Sequence, residues 1–446
     1  MIILGLGSNV GHCLLHLRNA LNALKKLPNM TILAVSPTYI SDALLPDDAP
    51  VEWDQPYLNL AIQCKTTQDP FSLLKELKKI EASISGGLQK KHWGPRMIDI
   101  DILAWDDEII KSETLTIPRD HLTDRPFALW PLADVAPLWI FPLKGPFHGK
   151  TAAELTTKWG SRFDGNAPLH TKQINQRIDT PALVGVINVT PDSFSDGGEF
   201  LQVPSALEQA RHLIEAGAEI LDIGAESTAP SAKPLHPTSE WQRLQPVLSA
   251  IKTIKDFLIP PQISIDTRHV EVAEKALNFG IDWINDVTGL QDARMRELVR
   301  EANLHCVMMH HLSIPPSKEN ILPPNQDPVQ LLYEWGKNQI ELLEQSGISK
   351  DKIIFDPGIG FGKSSEHSLF LIKNISVFKN LGVRILVGHS RKSFLSLFTS
   401  RPFAERDIET VAMTLYLSNQ PVDYIRVHPV DFCARALKVA KALATV

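Results

Sequence analysis

Around two acids the chain alternates strictly, reading Met97-Ile98-Asp99-Ile100-Asp101-Ile102-Leu103. On a strand, residues two apart share a face. Ile98, Ile100 and Ile102 therefore point one way, and Asp99 and Asp101 the other, roughly 7 Å apart along the strand. Carboxylates so placed can hold hard Mg2+ ions that also take phosphate oxygens from a nucleotide. A solvated acidic edge strand would show the same spacing, so the pair alone decides nothing. A second polar set closes short β-branched runs further along: Asn188, Asp222, Asp266, Asn285, Asp286, Asp356, His389, Arg426 and His428. Arg426 and His428 are two apart and face one way; with Asn188 and Thr228 they make a suitable diphosphate cradle. Asn188 also offers Mg2+ a carbonyl oxygen.

The second set sits on a repeating scaffold. Eight runs, Ala182–Thr190, Glu219–Gly224, Gln262–Thr267, Trp283–Val287, Leu304–His310, Lys352–Pro357, Val383–His389 and Asp423–His428, alternate with amphipathic stretches. Strand-then-helix repeated eight times predicts a TIM (β/α)8 barrel, whose site forms at the C-terminal ends of its strands. Gly217, Gly280 and Gly382 each stand between a helical stretch and the next strand, where glycine takes the left-handed cap. The first part of the chain reads differently. Strands at Ile2–Gly7, Thr31–Tyr39, Leu58–Thr66 and Met97–Trp105, with helices at Cys13–Leu27 and Pro70–Ile84, give the order βαββαβ. That is a ferredoxin-like α+β domain. The expected organisation is a first domain over residues 1–159, a turn-rich linker over 160–180 and a barrel over 181–446.

Composition excludes several classes. The chain has 446 residues, 43% of them hydrophobic and 22% charged, as in a soluble two-domain protein. Its formal charge of −6, from 45 basic and 51 acidic residues, argues against a nucleic-acid surface. No stretch reaches the roughly 20 apolar residues of a membrane span, and the amino terminus lacks the basic region of a signal peptide. Cys13, Cys64, Cys306 and Cys433 show no CxxC spacing and are expected as reduced thiols in a cytoplasmic protein.

Context sharpens both sites. Gly5-Leu6-Gly7-Ser8-Asn9, Gln55-Pro56-Tyr57-Leu58-Asn59, His92-Trp93-Gly94-Pro95-Arg96 and Arg125-Pro126-Phe127-Ala128-Leu129-Trp130 surround the acid pair in order. With it they resemble the 6-hydroxymethyl-7,8-dihydropterin pyrophosphokinase family over nearly the whole first domain. The resemblance implies transfer of pyrophosphate from ATP to a pterin hydroxymethyl group. Asp99 and Asp101 would hold Mg2+. Tyr57 and Asn59 would bind pterin with Phe127 stacked on its ring, Trp93 would line the substrate, and Arg96 and Arg125 would meet phosphate or pterin.

The barrel resembles dihydropteroate synthase from end to end. The match runs through Asn188-Val189-Thr190-Pro191-Asp192, Asp222-Ile223-Gly224-Ala225-Glu226-Ser227-Thr228, Ile265-Asp266-Thr267, Ile284-Asn285-Asp286, Asp356-Pro357-Gly358-Ile359-Gly360-Phe361-Gly362-Lys363, Ser390-Arg391-Lys392 and Arg426-Val427-His428. The resemblance implies condensation of the pterin diphosphate with p-aminobenzoate. Asp266, Asn285, Asp356 and Lys392 would surround the pterin, with Asp356 taking two parallel hydrogen bonds from its amino-pyrimidinone edge. Lys392 would bridge the substrates, and Ser390 and Phe361 would line the p-aminobenzoate side. Mg2+ is implied at both sites, and a homodimer through the outer helices of the barrel.

The chain departs from both families. The loop Gly86–His92 carries lysines and no arginine, Arg119 stands where a histidine usually follows Ile-Pro, and Ala229 replaces an arginine. His389 occupies a usually apolar position. The Gly-Lys-Ser at 362–364 looks like the end of a P-loop, but Pro357 stands where that motif needs glycine. Adjacent His310 and His311 would face opposite ways on a strand, which suits no metal. The expectation is an enzyme of two consecutive steps of folate biosynthesis. Its rivals are a pterin-binding methyltransferase barrel and a first domain that is only a nucleotide-binding or dimer-stabilising module.

Overall fold

A computed structural model describes all of the chain but residues 88–93, 190–197, 227–233, 255, 256, 258, 318, 445 and 446, and gives only the helix for 198–202. It divides into two units, residues 1–179 with 441–446, and residues 180–440.

In the first unit, alternation along the chain becomes two-faced strands. The elements are β1 (Ile2–Ser8), α1 (Cys13–Leu24), β2 (Thr31–Val35), β3 (Tyr39–Ser41), β4 (Tyr57–Lys65), α2 (Pro70–Ile84) and β5 (Asp99–Trp105). A small hairpin of β6 (Ile110–Lys111) and β7 (Thr116–Ile117) follows, then α3 (Pro126–Val135), α4 (Ala152–Thr156) and β8 (Lys172–Gln173). The antiparallel sheet runs β5-β1-β4-β3-β8, with β2 also on β4. One face buries Ile3, Ala61 and Leu103 against Leu129 and Leu132 of α3. Helix α2 starts where it should: Asp69 accepts the Phe71 and Ser72 N–H groups, and Pro70 takes the first turn.

Two expectations need correction here. The single strand Thr31–Tyr39 is two, because Pro37 has no N–H to continue the ladder and the chain steps at Ser36. The expected linker 160–180 is folded, up to residue 179, into the first unit. β8 adds to the sheet through β3, Ile174 N–H reaches the Thr38 carbonyl, and Arg162 pairs with Asp134. Arg177 donates to the Val35 carbonyl at 2.9 Å, and Arg18 to those of Ile178 and Arg177 at 2.9 and 2.7 Å.

The second unit is a closed barrel of parallel strands in chain order, with every predicted run on its strand. They are β9 (Ala182–Asn188), α5 (Gly198–Ala216), β10 (Ile220–Gly224), α6 (Pro237–Thr253), β11 (Gln262–Asp266), α7 (Val270–Ala276), β12 (Trp283–Asp286) and α8 (Ala293–Glu301). Then come β13 (His305–Met309), α9 (Pro328–Gln345), β14 (Ile353–Asp356), α10 (Ser365–Lys373), β15 (Arg384–Val387), α11 (Asp407–Leu417), β16 (Tyr424–Val427) and α12 (Val430–Ala444). Gly280 and Gly382 take the left-handed conformation before their strands, as expected. Ile220, Trp283, Val307, Ile354, Leu386 and Tyr424 plug the interior, so polar side chains are left for the mouth. Among the described residues no helix is long and apolar enough to cross a membrane.

Candidate active sites

In the first unit, register builds the site. Across the sheet Asp99 pairs with Gly7, and Gly7 with Asn59; Asp101 pairs with Gly5. Ile98, Ile100 and Ile102 are buried on the other face, so both acids project into a cleft of about 330 Å3. The glycines keep that cleft open. A Cβ on Gly7 would stand 3.3 Å from Asn59 Oδ1 and 3.6 Å from the Tyr57 ring. Arg96, Arg125 and Phe127 line the same space, so with Asp99, Asp101, Tyr57 and Asn59 seven of the residues expected from sequence converge. Trp93 lies outside the described residues, as does the lysine-bearing segment 88–92.

Charge in the cleft is paired. Arg96 Nη1 donates to Asp99 at 2.7 Å and Arg119 Nε to Asp101 at 3.2 Å. Burial, then the neighbouring Asp99, pushes the Asp101 carboxyl up, while Arg119 opposes this. Burial and Arg119 together push Arg125 down. Two acids held against their own repulsion fit a divalent cation. Among the described residues no third carboxylate, imidazole or thiol completes a cage, which suits an ion that keeps waters and phosphate oxygens. Asn59 Nδ2 donates to Ser41 Oγ at 3.1 Å, which fixes its amide plane. Sequence reasoning missed Glu81. It is buried, and it accepts the Ile100 N–H at 2.7 Å and Lys78 at 2.8 Å, so it pins the strand that carries both acids. An acid on the apolar stripe of α2, four residues after Leu77, was the available signal.

The barrel mouth is built the same way. Asn188, Gly224, Asp266 and Asn285 form one row across four strands. A Cβ on Gly224 would stand 3.1 Å from that of Asp266, so glycine admits the acid. One layer down, Asp222 is the hub. It accepts Ser264 Oγ at 2.6 Å, Asn285 Nδ2 at 3.0 Å and Arg426 Nε at 2.6 Å. Arg426 also donates to Asp266 at 2.8 Å. Burial, then Asp222, lifts Asp266 to about 7.

Lys392 reaches the other side of the cup. Its Nζ donates to the Ile359 carbonyl at 2.6 Å and lies 4.8 Å above the Phe361 ring. Burial lowers it to about 8 although Asp356 opposes the shift. Asp356 is itself pushed up by burial and held down by Lys392 and by the Gly358 N–H at 2.7 Å. Asp266, Asp356, Lys392 and Arg426 thus converge. His428 Nδ1 lies 2.9 Å from Ser390 Oγ, which also accepts the His428 N–H at 3.1 Å. Burial and the nearby Arg426 depress His428 to about 3, so it offers a hydrogen bond rather than a second positive charge. Asn188 is exposed at its strand end, where a single amide oxygen is open to an ion. Thr228 lies outside the described residues, as do Asp192, Asp196 and Ala229.

Two members of the polar ring do other work. His389 is fully buried against α11, with Nε2 3.1 Å from the Thr410 carbonyl and 3.2 Å from Thr414 Oγ1. Asp286 accepts the Thr288 and Leu290 N–H groups at 2.7 and 3.2 Å and shapes its own loop.

Residues 3–137 match the 7,8-dihydro-6-hydroxymethylpterin-pyrophosphokinase family, and residues 184–428 match the family described as pterin binding enzyme. The chain is 39% identical to the folate synthesis bifunctional protein of Chlamydia muridarum, over 98% of this chain and 97% of that one. It is 34% identical to the mitochondrial folate synthesis bifunctional protein of Pisum sativum, over 99% and 89%. Two solved structures resemble the barrel. Dihydropteroate synthase from Anaplasma phagocytophilum, with bound 6-hydroxymethylpterin-monophosphate, is 37% identical with a TM-score of 0.54, over 59% of this chain and 99% of that one. The enzyme from Xanthomonas albilineans, with 4-aminobenzoic acid, is 32% identical with a TM-score of 0.55, over 60% and 94%. Both units and their order are accounted for at once: the chain belongs to the bifunctional folate-synthesis family, a pterin pyrophosphokinase joined to a dihydropteroate synthase barrel.

Proposed function

We propose that the two consecutive steps of folate biosynthesis divide between the cleft and the cup as follows. In the cleft, the hydroxymethyl oxygen of 6-hydroxymethyl-7,8-dihydropterin bonds the β-phosphorus of ATP and loses its proton to solvent, while the bond from that phosphorus to the oxygen of the α-phosphate breaks and AMP leaves. Tyr57, Asn59 and Phe127 hold the pterin, Asn59 presenting donor and acceptor to its edge and Phe127 a stacking plane. Arg96 and Arg125 meet the phosphates, with Trp93 beside the substrate. Mg2+ on Asp99 and Asp101 would supply charge neutralisation for the phosphate oxygens.

In the barrel, Asp356 accepts two hydrogen bonds from the amino-pyrimidinone edge, with Asp266 and Asn285 at the rest of the ring. The bond from the pterin methylene carbon to pyrophosphate breaks, and the amine of p-aminobenzoate forms the new C–N bond and loses a proton. The protein must hold the departing charge: Arg426, His428, Asn188 and Thr228 surround it, and Asn188 is the side chain that would hold a second Mg2+. Lys392, between Asp356 and Phe361, touches both substrates, and Ser390 fixes His428 beside them. The convergence of Arg426 on Asp222 and Asp266, opposite Lys392 and Asp356, carries this reading.

An assay started from hydroxymethyl-dihydropterin, ATP and p-aminobenzoate should yield dihydropteroate and stop when Mg2+ is chelated. No product from either step would defeat the proposal. Titration of the full chain with a non-hydrolysable ATP analogue, beside turnover, separates a working kinase cleft from one that only binds nucleotide. We also place the protein in the cytoplasm, where its four unpaired cysteines would stay reduced. A homodimer through the outer barrel helices suits the exposed Phe370, Ile408, Tyr416 and Phe432, and sedimentation at assay concentrations tests it.

A further inference from the structure

Lys392 reaches the cup from a turn whose sequence does not favour it. The Lys392 N–H donates to the His389 carbonyl at 3.3 Å, which closes a four-residue turn after β15 with Arg391 at its third position. There Arg391 has φ of +59°. Turns with positive φ at the third position take glycine or asparagine, because a longer side chain in the left-handed region crowds its own backbone. An arginine stays in that conformation only where its surroundings impose it.

The ties that impose it come from the start of α11. Arg391 Nε and Nη2 donate to the two carboxylate oxygens of Asp407 at 2.6 and 3.0 Å, a parallel fork whose side chains are each about a quarter exposed. The Arg391 N–H donates to Thr410 Oγ1 at 3.0 Å, and that hydroxyl donates to the Arg406 carbonyl at 2.8 Å. Arg406 Nη1 reaches back to the Lys392 carbonyl at 3.0 Å and the Arg391 carbonyl at 3.4 Å. Glycine at 391 would make the same turn and keep the backbone ties. What arginine adds is the fork, which has geometric specificity that a single donor lacks. On either side of it, Ser390 Oγ meets His428, and Lys392 Nζ meets the Ile359 carbonyl above the Phe361 ring.

We propose that Arg391 and Asp407 are positioning residues for the condensation: their fork clamps the turn after β15 to α11 and so fixes the reach of Lys392 toward both substrates. This rests on the reading that Lys392 touches those substrates. The two side chains are committed to each other, and neither is assigned a substrate contact.

The test measures binding of dihydropteroate to the full chain by calorimetry, in the parent and in Lys392→Ala. Arg391→Gly keeps the left-handed path and removes the fork, and Asp407→Asn breaks it from the other side. Each should weaken binding about tenfold in the parent background, since small misplacements of a contacting group are costly. With Lys392→Ala already present, each should change affinity by less than about twofold, because the clamp then has nothing to place. A general loosening of the fold predicts the same loss in both backgrounds, and that result overturns the proposal. So does the parent's affinity in both single variants. Combining Arg391→Gly with Asp407→Asn should weaken binding no further than either alone, within about twofold; losses that multiply would show two separate roles and would also overturn it. Asp407→Asn carries the test if Arg391→Gly does not fold. Turnover gives a second readout: kcat/KM for supplied pterin diphosphate and p-aminobenzoate should fall about tenfold, while pterin pyrophosphorylation stays within about twofold of the parent. If Lys392→Ala alone leaves dihydropteroate affinity unchanged, the assignment of Lys392 to the substrates fails and the clamp with it. If Lys392→Ala weakens binding and the fork variants do not, only the present inference fails.

Discussion

Single residues in the cup are held by other residues before any substrate arrives, and the substitutions worth making are those that cut one tie. Asp222 touches Ser264, Asn285 and Arg426, and it is 1% exposed. Asp222→Asn removes one of the two charges that Arg426 faces and one acceptor. Breaking a buried pair in this way costs about 3–5 kcal/mol. Melting should drop accordingly, and kcat/KM for condensation should fall at least about a hundredfold because Arg426 and Asn285 lose their anchor. Retention of full activity would show that the hub is dispensable. Lys392→Ala should abolish dihydropteroate formation and leave pterin pyrophosphorylation intact. The sequence placed Asp222 in the polar ring but assigned it nothing, because its three partners lie 42 to 204 positions away. A buried charge is recognised by what surrounds it, and spacing along the chain does not carry that.

At the scale of elements, what the sequence revealed was whatever repeats. Each barrel strand lay inside its β-branched run, since buried parallel strands need such residues on both faces. β8 went unread because two residues carry no period; only the edge of β3 makes Lys172–Gln173 a strand. Pro37 could have been read as the break between β2 and β3, because a proline there cannot donate to the ladder. The packing of β15 on α11 yields a further expectation. His389, fully buried there, is lowered to about 4 by burial. Its folded pKa lies below the unfolded value of about 6.5, so the unfolded chain binds more protons between the two. Stability from a neutral His389 is complete above that window and lost as pH falls through it. His389→Leu loses the contacts to Thr410 and Thr414, about 1 kcal/mol at neutral pH. It also removes a penalty that grows to about 3 kcal/mol near pH 4. Denaturant titrations should find the variant less stable near pH 7.5 and the more stable of the two near pH 4.5. Parallel curves at both values would rule out the histidine as the source.

For the whole molecule, the central question is whether one chain holds two reactions or one reaction with an accessory fold. Each unit has its own buried core and its own converging side chains, and no residue expected at one site lies in the other unit. The product expected of the cleft is the substrate expected of the cup, so the chain's net output conceals which half has failed. Replacing Asp99 and Asp101 together by alanine isolates the halves. The pair lies on β5, where Glu81 and the Ile100 N–H keep the strand in place without either carboxylate. The double variant should therefore fold, release no AMP from ATP and make no dihydropteroate from hydroxymethyl-dihydropterin. Given pterin diphosphate directly, it should condense it with p-aminobenzoate at the parent's rate, within about twofold. The same variant with Lys392→Ala added should do neither. Loss of condensation in the Asp99/Asp101 variant, with its melting unchanged, would mean that the two sites are coupled through the fold and that each unit is not sufficient for its own step.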